Sequence, residues 1–166
     1  VIDYTEASQY PSSQSYKKAL DLDPGNRQII VELASVYDIL KAYDLAASLY
    51  ESFLREHPED TEFRHQLGLT YLLQNRYDQG VKALSQALRE QPKSVGIATD
   101  LGYAFWQKGQ LNKAKDTFQK AITLKPDAAP PTRFLAKIYV AQKRYSQALK
   151  VLDAFLKIKP RQLGIR

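Results

Sequence analysis

The chain contains no cysteine and no methionine, and only two histidines and one tryptophan among its 166 residues. Without cysteine there is no disulfide, no thiolate nucleophile and no thiolate metal ligand; this fits any compartment and selects none. His57 and His65 are eight positions apart with Pro58 between them, so they do not form the pattern of two histidines and a glutamate on one helical face that holds a metal. No apolar run approaches the roughly 18 residues that a membrane-spanning helix needs. A glycine-rich phosphate loop, a nucleophile elbow and an Asn-x-Ser/Thr acceptor are all missing. Nothing here calls for a cofactor or a metal, no catalytic constellation emerges, and the chain reads as a non-enzyme.

What is present is periodic. Pro24, Pro58, Pro92, Pro126 and Pro160 follow one another at intervals of 34 residues. A large side chain lies eight residues before each: Tyr16, Tyr50, Leu84, Phe118 and Leu152. A small one lies twelve before: Ser12, Ala46, Gly80, Ala114 and Ala148. The pairs Leu33-Ala34, Leu67-Gly68, Leu101-Gly102 and Leu135-Ala136 recur in the same phase, each followed three residues later by Tyr37, Tyr71, Phe105 or Tyr139. Self-similarity at a fixed interval of this length is the mark of a stacked repeat architecture.

This pattern resembles the tetratricopeptide repeat, a 34-residue helix–turn–helix unit. The resemblance implies an all-α, right-handed α-solenoid of helix hairpins. It divides the chain into a partial repeat at 1–26 (a second helix after an irregular N-terminus), repeats at 27–60, 61–94, 95–128 and 129–162, and a tail at 163–166, all in one solenoid domain. The small residues are then sites where the two helices of a hairpin press together. Each proline follows a second helix, which its ring nitrogen cannot continue. Asn26, Asp60 and Ser94 stand as N-caps of the following helix. Ala128 offers no such cap, and Pro130-Pro131 predict a helix that starts late. Near the end of the second helix Ala19, Ala87 and Ala121 are small as expected, but Phe53 and Phe155 are not. Those two helices are expected to stand further from their neighbours or to pack through an altered contact. Residues 1–15, with Pro11-Ser12-Ser13, read as irregular. The start at Val1 without an initiator methionine, the stop soon after Pro160 and the missing terminal capping helix read as a piece of a longer array or a processed chain.

In this family the first helices line the concave face. By phase, the groove positions are Ser35 and Asp38 with Val31; His65, Leu69 and Leu72; Thr99, Tyr103 and Trp106; and Arg133, Lys137 and Val140. Spacings of four and three put each set on one face of its helix. The groove runs from mixed polar through apolar and aromatic to basic. Trp106 has two readings: a binding anchor, as tryptophan and tyrosine often are, or a mostly buried ring packed on a neighbouring repeat's first helix. Arg133 and Lys137 suit a carboxylate. The carboxylate clamp of some family members is not matched, since Val31, Ser35 and Gln66 stand where its lysine and asparagines belong.

These readings make the chain a protein–protein interaction scaffold or adaptor that holds a peptide or protein segment, acidic and apolar in character, in its groove. A first alternative is self-assembly through uncapped ends, where Leu152, Phe155, Leu156 and Ile158 offer apolar surface, for instance within a bacterial envelope secretion or polysaccharide-export apparatus. The weaker alternative is polyanion or RNA binding by the basic half, which predicts a steep loss of affinity with salt. Cytoplasm and periplasm both stay open. Residues 1–83 hold 8 Lys and Arg against 13 Asp and Glu, a net of −5; residues 84–166 hold 16 against 5, a net of +11. Lys113, Lys115, Lys120, Lys150 and Lys157 fall on second helices, so a plainly solvated outer face competes with an acidic partner as the reading of that asymmetry.

Overall fold

A computed structural model describes residues 11–158, with side chains from residue 13 onward; Pro160 and the tail lie outside the described residues. Every described element is a helix. In order they are α1 (Pro11–Leu22), α2 (Arg27–Ile39), α3 (Tyr43–Glu56), α4 (Thr61–Leu73), α5 (Tyr77–Glu90), α6 (Val95–Gln107), α7 (Leu111–Leu124), α8 (Ala129–Ala141) and α9 (Tyr145–Ile158). The helices α2, α4, α6 and α8 begin 34 residues apart, as do α3, α5, α7 and α9. The class is the all-α hairpin solenoid that the period implies.

Each start has a local cause. Asn26 Oδ1 accepts from the Ile29 amide at 3.2 Å, Asp60 Oδ1 from Phe63 at 2.9 Å and Ser94 Oγ from Ile97 at 3.3 Å. These side chains satisfy amides that a helix cannot satisfy itself. Ala128 makes no such bond, yet α8 begins on schedule at Ala129. The expected late start is therefore corrected. Prolines in a first turn remove only N–H groups that have no helical partner there, so they cost the helix nothing. The same reason corrects the irregular reading of residues 11–15, which open α1 behind Pro11.

The turn inside each hairpin is also periodic. Lys41, Asn75, Gly109 and Lys143 all take positive φ, between 56° and 70°. After α2 the Lys41 amide donates to the Asp38 carbonyl at 3.0 Å and the Ala42 amide to Tyr37 at 2.8 Å. The pairs of bonds after α4, α6 and α8 match it. This is the Schellman closure, which needs one left-handed residue.

The chain divides into two compact units, Val1–Ala83 and Leu84–Arg166. In the first, Leu33, Ala34 and Ala46 are fully buried, with Tyr37, Tyr50, Phe53 and Phe63 packed around them. Phe63 of α4 meets Tyr50 edge-on at 5.3 Å and Phe53 at 4.6 Å. Arg27 lies over Phe63, 4.4 Å from its centroid, while pairing with Asp60 and, at 3.2 Å, with Glu62. It staples the start of α2 to the start of α4. In the second unit Ala114, Phe118 and Leu135 are fully buried. Gly102 lets α6 and α7 close: a β-carbon there would lie 2.6 Å from the Phe118 ring.

Candidate functional site

The expected groove residues fall in both units, and each unit is a separate case. In the second, α6 presents Tyr103 and Trp106, three apart and so on one face, and α8 presents Arg133 and Lys137, four apart. Tyr103 and Trp106 meet edge-on at 5.8 Å. Phe134 of α8 joins them, with its centroid 5.5 Å from Tyr103 and 5.4 Å from Trp106. All three rings are half-buried, and Phe134 is held from beneath by stacking on Phe118 at 5.3 Å and 12°. Gln107 donates to the Tyr103 hydroxyl at 2.5 Å. Arg133 and Lys137 are exposed beside this cluster, their charged groups 6.0 and 5.9 Å from the Phe134 centroid. That is the outer limit of a cation–π contact, so both cations stay available to a second partner.

Trp106 is neither fully packed nor fully presented. It packs against the next first helix through Phe134, and it keeps part of its ring accessible. Val140 is exposed as expected. Thr99 is not: it is 8% exposed, and its hydroxyl donates to the Val95 carbonyl one turn back at 2.7 Å.

Phe134 is the residue the sequence reading missed. Its counterparts in the other repeats are Glu32, Gln66 and Asp100. A phenylalanine where three repeats have polar groups was the available signal.

In the first unit, Ser35 and Asp38 are exposed, as is Val31, and the Ser35 hydroxyl donates to the Val31 carbonyl at 2.8 Å. Partial desolvation of the Asp38 carboxyl raises its pKa. His65 and Leu69 are half-buried. Leu72 is 8% exposed, and a β-carbon on Gly80 would lie 2.5 Å from its Cδ2. Leu72 fills the space that the small residue of α5 leaves, so it is a packing residue and not a presented one. Among the described residues, no group of three or more His, Asp and Glu is placed to hold a metal, and no helix is long and apolar enough to cross a membrane.

Residues 65–129 and residues 105–163 each match a family model of the tetratricopeptide repeat, and the two matches together span the larger part of the chain. The chain belongs to the tetratricopeptide-repeat family. This membership makes it a protein-interaction scaffold in the broad sense. Its fold is similar to a crystal structure of MamA, at 18% identity and a TM-score of 0.82 over 99% of each chain. It is similar to MamA residues 41 to the end from Desulfovibrio magneticus RS-1, at 16% identity and 0.79 over 96% of this chain and 92% of that one. YrrB, described as a TPR protein with an unusual peptide-binding site, is 20% identical with a TM-score of 0.72 over 95% of this chain and 83% of its own. At such identities the likeness is one of fold. No curated protein matches the chain in sequence.

Proposed function

We propose that the second unit captures an acidic–apolar peptide segment on the face that α6 and α8 share, in the groove that first helices line in this family. One observation carries the reading: Tyr103, Trp106 and Phe134 form a half-exposed aromatic cluster bordered by the exposed cations Arg133 and Lys137. Aromatic anchors in partly desolvated pockets supply most of the energy of such contacts. Cations at the rim orient the ligand and speed its arrival. The unit's net of +11 acts in the same sense at longer range. The peptide-binding site named for YrrB, a protein of the same repeat fold, is consistent with this use.

Trp106 is the sole tryptophan, so its emission reports the site directly. Titration with a labelled peptide of glutamate and leucine is expected to shift that emission. Trp106→Ala is expected to weaken binding by about 2 kcal/mol, read by anisotropy. Arg133→Glu with Lys137→Glu should cost at least as much and slow association. An unchanged affinity in the charge-reversed variant, with circular dichroism showing it folded, sinks the proposal.

A second reading, self-association, has its own observation. Tyr145, Leu149, Leu152 and Leu156 are all exposed along one face of α9. Leu152 is 37% exposed, whereas Phe118 at the same place one repeat earlier is fully buried beneath Phe134. Phe155 is half-buried and Ile158 is exposed. Sedimentation velocity decides: a monomer at high concentration removes this reading.

A further inference from the structure

Each unit carries a cleft on the side of its second helices. In the first unit a cleft of about 460 Å³ opens between α1 and α3, with Ile30 of α2 in its lining. In the second, one of about 390 Å³ opens between α7 and α9. They are counterparts: Pro24 and Pro126, Leu49 and Val151, and Phe53 and Phe155 lie in the two linings three repeats apart. Both include the phenylalanine that replaces the alanine of the period. At Ala87 and Ala121 that position is fully buried.

The charges at the two clefts differ. Asp21 of α1 and Glu56 of α3 line the first. Their counterparts in the second unit are Thr123 and Ile158, and the charged residue lining that cleft is Lys150. Among the described residues, neither Asp21 nor Glu56 is in an ion pair. Leu20, Leu49 and Phe53 line the same cleft with apolar surface, and His57, whose Nδ1 is 3.8 Å from a Glu59 carboxylate oxygen, lines it as well. Such a cleft favours a ligand that brings apolar side chains and cations together. An anionic segment is repelled there, and the unit's net of −5 adds to the effect.

We propose that the cleft between α1 and α3 is a docking site for a basic–apolar peptide segment. It is opposite in charge sense to the surface on α6 and α8 and independent of it.

Two labelled heptapeptides test this on the full chain by fluorescence anisotropy: one alternates arginine with leucine, and the other has glutamate for arginine. The arginine peptide is expected to bind, and the glutamate peptide, titrated separately, to bind the parent chain and the Asp21→Lys, Glu56→Lys variant alike. Asp21→Lys with Glu56→Lys should weaken binding of the arginine peptide by about tenfold or more. The milder pair Asp21→Asn and Glu56→Gln, which introduces no like-charge repulsion, should weaken it in the same direction. Trp106→Ala should change nothing. The proposal is overturned if the arginine peptide fails to bind at millimolar concentration, or if it binds the folded charge-reversed variant equally well. It is also overturned if Trp106→Ala abolishes binding, because the peptide would then sit on α6.

Discussion

The two units share a repeat and differ in what the cations on their aromatic rings also touch: in the first, Arg27 and Arg76 lie over Phe63 and Tyr71 and pair with carboxylates as well. There, cations and carboxylates hold helices to one another. Arg27 joins Asp60 and Glu62 while covering Phe63. The Tyr71 hydroxyl donates to Glu51 at 2.6 Å, and Asp44 receives Gln74 and Arg76. In the second, cations lie over rings near the surface: Arg133 and Lys137 beside Phe134, Lys113 over Phe105, Arg144 over Tyr139. A charge committed to a carboxylate of its own chain has less to offer a partner. A cation resting on an aromatic face keeps its hydrogen-bonding capacity for an incoming carboxylate. The difference teaches that the periodic positions build the scaffold, while the positions that break the period decide what each unit presents.

The largest test of this contrast is Phe118→Ala. Phe118 is fully buried, closes on Gly102 and supports Phe134. Its loss should cost about 3–5 kcal/mol, read as faster hydrogen exchange across α6, α7 and α8. Because Phe134 loses its support, the aromatic cluster should loosen as well, and the Trp106 emission should shift toward the exposed value. Retained exchange protection in α6 and α8 would mean that the cluster stands without its base.

A second test belongs to the first unit alone. Burial pushes the Tyr50 phenol up to about 12, and burial with the Glu51 hydrogen bond does the same for Tyr71. Burial raises Tyr37 too. Between pH 10 and about 12 the Tyr50 and Tyr71 phenols ionise in the unfolded chain and stay protonated in the folded one. The folded state then binds more protons, so stability is full below pH 10 and falls as pH rises through this window. Melting temperature should drop accordingly, and Tyr50→Phe should blunt the drop. An equal alkaline loss in that variant would remove Tyr50 from the account.

The fold was legible because its determinants are periodic. Among the described residues four prolines, four Leu-small pairs and three caps each report a helix end or a close contact, and the in-phase copies leave no competing assignment. The start of α8 differs from the expected late one because a first turn that holds Pro130 and Pro131 needs neither their amide hydrogens nor a capping side chain to stay helical. The site was only half legible. Tyr103, Trp106, Arg133 and Lys137 follow from phase, but phase gives a direction and not a depth. Leu72 sinks because Gly80 leaves room for it, and Thr99 is satisfied by its own helix. Phe134 was hidden because its position was judged by the repeat and not by its departure from it. The clefts were signalled by Phe53 and Phe155, yet only the packing shows that a large ring there lines a cavity.

The smallest effect separates the turns of the two units. The first unit closes its hairpins through Lys41 and Asn75 at positive φ; the second uses Gly109 and Lys143. Only glycine adopts this region without a steric cost between its β-carbon and its own backbone. Nothing lies within 4 Å of a β-carbon built on Gly109, so Gly109→Ala tests backbone strain free of packing. It should destabilise the second unit by about 1 kcal/mol. Lys143→Gly should have the opposite sign and a smaller size, because relief of strain is offset by the greater freedom of glycine in the unfolded chain. Lys41→Gly should match it in the first unit. Urea denaturation of the three variants orders them, and a loss of stability in both lysine variants would show that the side chains, and not the backbone, hold these turns.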